Sequence, residues 1–223
     1  MDATKNPYVP NAGATPFELA GRRPLISDFQ AAIARARTGR SPRSMIPYGL
    51  RGVGKTVLLN RFCDEASARG YLVAYIEADD HGGFLVKLVT EVRRLLFALD
   101  ASVRVNEAVK KAIRILKSFV VKVNLLGLSV EIGVDPEFGQ GDTGNLATDM
   151  TSLLLALGEA ARSQDAAVLI AVDEVQYISE ADFEALIVAL HRVVQQALPL
   201  LSVATGLPSV LALAGNAKTY AER

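Results

Sequence analysis

Gly49-Leu50-Arg51-Gly52-Val53-Gly54-Lys55-Thr56 decides the reading of this chain. It fits the spacing G-x-x-x-x-G-K-[ST]. An apolar run, Ser44-Met45-Ile46-Pro47-Tyr48, precedes it, and a helical pattern follows from Val57 to Cys63. A strand, a glycine-rich turn and a helix start, in that order, build a nest of backbone N–H groups that suits an anion. Gly49, Gly52 and Gly54 lack Cβ, so the backbone there can take unusual dihedrals and approach a ligand closely.

The anion such a nest suits best is the polyphosphate tail of a nucleoside triphosphate. Lys55 would meet the β- and γ-phosphates as a point charge. Thr56 would offer its hydroxyl to Mg²⁺, which takes hard oxygen ligands. Leu50, Arg51, Val53 and Val57 complete the binding stretch. The plainer alternative is a glycine-rich turn that caps an ordinary helix.

A second motif stands downstream, Val168-Leu169-Ile170-Ala171-Val172-Asp173-Glu174. An apolar run ending in an acidic pair puts two carboxylates at the C-terminal edge of a buried strand. In open parallel sheets, ligands bind outside that edge. Asp173 is the candidate Mg²⁺ ligand, and Glu174 is the candidate general base that polarises an attacking water. Taken alone, the pair reads equally well as an acidic helix cap after a core strand.

The remaining chain alternates strands and helices. Helical spacing runs from Pro24 to Arg37, from Lys55 towards Gly70, from Phe84 to Leu99, from Asn106 to Lys117, from Leu146 to Arg162 and from Glu180 to Ala197. Short apolar runs at Tyr71–Ile76, Ala167–Val172 and Pro199–Ala204 read as strands buried on both faces. Such alternation implies βαβ crossovers and a parallel sheet between helical layers. Residues 119–134 alternate with period two around Gly127, which predicts an inserted β-hairpin. Residues 1–20, rich in Pro, Gly and Asn, read as an extended lead-in. Residues 135–145 read as an acidic, glycine-rich loop.

Half the residues are hydrophobic and 22% are charged, so the chain is globular. Lys+Arg and Asp+Glu are both 24, so net charge exerts no general pull towards nucleic acid or membrane. The charges are segregated, however. Arg22 to Arg61 holds nine basic residues against one acidic, and Glu131 to Glu184 holds twelve acidic against one basic. The basic block reads either as phosphate or nucleic-acid attraction or as a solvated helix face. Cys63 is the one cysteine, which rules out an internal disulfide and a cysteine-based zinc cluster. It reads as a small core residue. His81 and His191 do not pair as metal ligands, and His191 reads as solvated. Glu77 or Asp79, at the end of the second strand, is a candidate modulator of Glu174. The N-terminus lacks a signal-peptide pattern, and no stretch of 18 uncharged apolar residues occurs. The expectation is a cytoplasmic protein without a membrane partner.

The GLRGVGKT loop and the VLIAVDE strand together resemble P-loop ATPases of the AAA+ type. Leu19-Ala20-Gly21-Arg22-Arg23, with Arg22 some 27 residues before Gly49, is similar to the Gly-Arg element that lies near adenine in that group. Asp173-Glu174-Val175-Gln176-Tyr177 resembles the D-E-x-Q stretch of its origin-initiator and bacterial relatives. Leu200 to Gly206 is similar to the strand that carries the family's γ-phosphate sensor. The resemblance covers residues 17–223. It implies a three-layer P-loop NTPase fold with about five parallel strands and the phosphate strand in the middle. It implies an ATPase core over residues 21–223, Arg22 beside the base, and Thr205 as sensor, where the family more often has Asn. It also implies ATP, ADP and Mg²⁺ as ligands, and a homo-oligomer as one form of assembly.

The family's α-helical lid, with its second sensor Arg, normally follows the sensor strand, as does any winged-helix DNA-binding domain. Neither follows here before Arg223, so the expectation is a fragment, with DNA reached only through a domain absent from the chain. Arg223 reads either as the start of an arginine-finger region or as a plain terminal residue.

Three functions compete on these residues: an Mg²⁺-dependent ATPase driving or gating change in a larger assembly, a slow-hydrolysing regulatory switch of the signalling-ATPase kind, and a small-molecule kinase. The acidic pair argues against the last. ATP is favoured over GTP because no N-K-x-D guanine-reading motif occurs.

Overall fold

The computed structural model describes residues 21–40, 44–100, 106–122 and 140–216. Seven α-helices and three strands follow in chain order: α1 (Arg23–Arg37), α2 (Lys55–Ala68), β1 (Tyr71–Glu77), α3 (Phe84–Asp100), α4 (Glu107–Lys122), α5 (Leu146–Ser163), β2 (Ala167–Asp173), α6 (Glu180–Gln195), β3 (Leu200–Ala204) and α7 (Val210–Asn216). A 3₁₀ turn, Val175–Tyr177, lies between β2 and α6.

The sheet order is β1-β2-β3, all parallel. All seven residues of β2 are buried, because both of its faces are covered. Val168, Ile170 and Val172 face a core shared with α3, α4, α5 and α6. Leu169 and Ala171 face the opposite core, built on α1 and α2. That alternation of a period-two strand between two apolar layers makes the three-layer α/β/α fold. Phe29 of α1 stacks on Phe62 of α2 with ring centroids 4.3 Å apart, which ties the two helices of the thinner layer together.

The stretch before the phosphate loop joins the sheet outside β3. Met45 N–H donates to the Ser202 carbonyl, Ala204 N–H to Met45, Gly206 N–H to Pro47 and Gly49 N–H to Gly206. These bonds give two parallel bridges, Met45↔Val203 and Tyr48↔Gly206, rather than a full strand. The cause is Pro47, which has no N–H to supply the rung between them. The phosphate segment lies next to β3, on the side away from β2, and no fifth strand occurs among the described residues.

The expected hairpin is corrected at its start. Phe119, Val120, Val121 and Lys122 form the last turn of α4. Phe119 and Val120 are buried with Ile115 and Leu116 while Val121 is exposed, a helical rather than an alternating pattern. The remainder of that expectation, and those placed on residues 1–20, 135–139 and Arg223, lie outside the described residues. Apart from the run before the phosphate loop, the other predicted helices and strands stand, and α7 is added.

Candidate functional site

The phosphate loop is held by its backbone. Gly52 and Gly54 have φ of 79° and 81°, in the left-handed region that glycine enters without penalty. Gly54 is the N-cap of α2 and no side chain caps that helix. The first N–H groups of α2 therefore face the loop's concavity without an intrahelical partner. Gly49 passes close to Val53, whose Cγ2 would lie 3.1 Å from an added Cβ. Lys55 opens α2 and is buried, and its Nζ donates to the Leu50 carbonyl at 3.0 Å. The ammonium is thus folded over the loop, with donors left for an anion. Thr56 and Val57 follow half-buried, whereas Leu50, Arg51 and Val53 are exposed.

Arg22 lies against the loop. Its guanidinium donates to the Val53 carbonyl at 2.9 Å. With Leu25, Met45, Ile46, Pro47 and Tyr48 it lines a cleft of about 280 Å³ beside the loop, an apolar setting with one cationic wall.

Asp173 ends β2 and is 2% exposed. Its Oδ1 accepts from the Glu174 N–H at 2.9 Å and from the Thr205 hydroxyl. Its Oδ2 accepts from the Tyr75 hydroxyl at 3.2 Å. A buried carboxylate needs such partners to satisfy its oxygens. Thr205 is fully buried just beyond β3, and its N–H donates to the Val172 carbonyl at 2.8 Å. The acid of β2 and the hydroxyl after β3 therefore meet directly at the sheet's C-terminal edge.

Glu174 is half-buried and has φ 53° and ψ 41°, a left-handed conformation uncommon for a residue with Cβ. The carboxylate accepts from the Gln176 side-chain amide through Oε2. Neither expected modulator reaches it by a described bond. Asp79 pairs with Lys87, which holds its carboxyl below the usual carboxylate range, and Lys87 also donates to the Glu77 carbonyl at 2.7 Å. His81 is exposed, while His191 is half-buried rather than solvated.

Gly206 locks the two halves of the site together. It bonds to both Pro47 and Gly49. On its other side an added Cβ would lie 2.8 Å from Val175 Cγ1 and 2.9 Å from Gln176 Oε1. The 3₁₀ turn reaches the loop a second time, where Arg51 donates to the Tyr177 hydroxyl at 3.1 Å.

The basic block of the sequence is dispersed over this face and beyond it. Arg22 and Arg51 lie at the loop, Arg37 bonds the Arg69 carbonyl at 2.8 Å, and Arg61 pairs with Glu65 at 3.0 Å. Tyr75 and Tyr177 were not legible as site residues. Gln176 was visible only as part of the D-E-x-Q stretch.

The donor set suits a magnesium–nucleotide pair: open helix N–H groups and an ammonium for phosphate, and hard oxygens on Thr56 and Asp173 for the cation. Among the described residues no group of three or more His, Cys, Asp or Glu side chains is arranged to hold a metal. No described helix is long and apolar enough to cross a membrane.

A family model for an AAA ATPase domain matches residues 18–203. Among solved structures, Cdc6p from Pyrobaculum aerophilum is similar over 94% of this chain and 46% of its own, with a TM-score of 0.52 and 15% sequence identity. The Orc1 protein of Aeropyrum pernix, solved in complex with DNA, is similar over 96% of this chain and 45% of its own, with a TM-score of 0.48 and 19% identity. The chain thus spans under half the length of either, and such identities speak to fold alone. No curated protein matches the chain.

Proposed function

The chain belongs to the AAA ATPase domain family, and from that premise we propose that it binds ATP with Mg²⁺ and hydrolyses it to drive or gate a conformational change in a larger assembly. The observation that carries this reading is the joining of the two motifs through Gly206, which bonds Pro47 and Gly49 on the loop side and abuts Val175 and Gln176 after the acidic pair.

In this reading Gly49 to Val57 encloses the phosphates, and Lys55 neutralises the β- and γ-phosphates. Arg22 and the apolar cleft receive the base. Thr56 and Asp173 would hold Mg²⁺, which when bound offsets charge on the β- and γ-oxygens. Asp173 is held in place for this by its three donors, the Tyr75 and Thr205 hydroxyls and the Glu174 N–H. Glu174 acts as general base, orienting a water and accepting its proton. Thr205, whose hydroxyl donates to Asp173, is the candidate sensor: a γ-phosphate in the same pocket would compete with that carboxylate for the one hydroxyl proton.

Conversion of ATP to ADP would thereby be felt at Thr205, Gly206 and the following α7. A soluble, cytoplasmic setting and assembly with copies of itself fit this reading and belong to the same proposal.

Substituting Glu174→Gln tests it. ATP affinity by calorimetry should be retained and phosphate release should fall by about 10²- to 10⁴-fold. Undiminished turnover in that variant would reject the assignment.

A further inference from the structure

Gln176 makes two hydrogen bonds that point in opposite directions along the site. Its Nε2 donates to Glu174 Oε2, and its Oε1 accepts from the Leu207 N–H at 2.9 Å. The Leu207 N–H can only donate, so it fixes which end of the amide faces Glu174. The donor end is turned to the carboxylate and cannot flip without losing both bonds.

The side chain is short of room as well as tethered. Gly206 approaches so closely that an added Cβ would come 2.9 Å from Gln176 Oε1. The backbone around it is zipped too: Val175 N–H donates to the Thr205 carbonyl at 2.9 Å, and Tyr177 N–H to Glu174 at 3.0 Å. A half-buried Gln in this cage has one conformation that satisfies it.

We propose that Gln176 is a positioning residue that sets the Glu174 carboxylate and couples it to the chain just beyond the sensor position. This rests on Glu174 being the general base. With Oε2 occupied by the amide, Oε1 is the oxygen that meets the water. With the amide anchored on Leu207, any shift of the segment Thr205–Leu207 is transmitted to Glu174 through one rigid side chain. The arrangement joins the place where the γ-phosphate is sensed to the group that acts on water, without a contact between Thr205 and Glu174 themselves.

Two substitutions separate the two bonds. Gln176→Ala removes both. Gln176→Glu keeps an acceptor for Leu207 but replaces the donor that faces Glu174. Misplacement of a reacting group by about 1 Å costs on the order of 10²-fold, so turnover should fall about 10- to 100-fold in both variants. ATP affinity by calorimetry should stay within about twofold, since the loss is confined to the chemical step. In the nucleotide-free protein, hydrogen exchange at the Leu207 amide should quicken in Gln176→Ala and not in Gln176→Glu.

Glu174→Gln is measured in parallel. If it is inactive while both Gln176 variants turn over normally, the positioning role is overturned and the general base stands. If Leu207 exchange is the same in all three proteins, the coupling is overturned. If Glu174→Gln turns over normally, both proposals fall.

Discussion

The Tyr75 hydroxyl lies 3.2 Å from Asp173 Oδ2 and donates to it. The residues sit on neighbouring strands, Tyr75 opposite Ala171 in the register and Asp173 opposite Glu77. Burial first, and then the Asp173 carboxylate, push the Tyr75 phenol well above its ordinary range. Tyr71, at the other end of β1, is pushed from 10.0 to about 12 by burial, partly opposed by Arg37 and Arg69. Well below pH 10 both phenols keep their protons whether the chain is folded or not. Above that, the unfolded chain releases protons that the folded one retains, so stability falls as pH rises. Urea unfolding followed from pH 8 towards pH 12 should show this decline, and Tyr75→Phe should make it shallower.

Thr205→Val tests the other side of the same carboxylate. Thr205 is fully buried and its hydroxyl is a donor to Asp173. Valine keeps the shape and leaves Oδ1 with one donor fewer. A buried acceptor stripped of a partner costs about 1–3 kcal/mol. Thr205→Ser retains the hydroxyl and should lose less. Equal midpoints for the two variants in urea would contradict the bond's importance.

Gly206→Ala should be disproportionately harmful for so small a change. Its Cβ would fall 2.8 Å from Val175 Cγ1 and 2.9 Å from Gln176 Oε1. Overpacking of this kind costs about 1–3 kcal/mol. Thermal unfolding of this variant should begin several degrees early. An unchanged melting curve would mean that the two motifs have slack between them.

Cys63 should be inert. Burial, and then Asp64, push its thiol up to about 12. At neutral pH almost no thiolate exists to react. A thiol reagent should label the native protein far more slowly than the urea-unfolded chain, and rapid native labelling would contradict that environment.

Much of this was legible from residue order. The loop glycines announce their own φ values, because only glycine enters that region freely. The run Val168–Val172 announces a strand covered on both faces, and the acidic pair follows from where such a strand ends. What misled was local pattern without tertiary context. Phe119–Lys122 alternates briefly, but a four-residue window fits a helix as well, and α4 takes it because Phe119 and Val120 find the core. Pro47 breaks the ladder of a segment whose apolarity reads as a strand. Tyr75 and Gln176 could not be found by spacing, because their partners lie 98 and 31 residues away at Asp173 and Leu207. Strand register decides the first contact and the close approach of two loops at the sheet's edge decides the second, and neither is written in local spacing.

The central claim is that Lys55 and the loop amides bind a polyphosphate. Isothermal calorimetry with ATP, with and without Mg²⁺, tests it most directly on the wild-type chain and on Lys55→Ala. Losing one charge-assisted contact of about 1.5–3 kcal/mol weakens binding roughly 10- to 100-fold. The account predicts magnesium-dependent ATP binding by the wild type and that loss in the variant. No heat of binding from the wild type, or identical affinity in the two proteins, would contradict it.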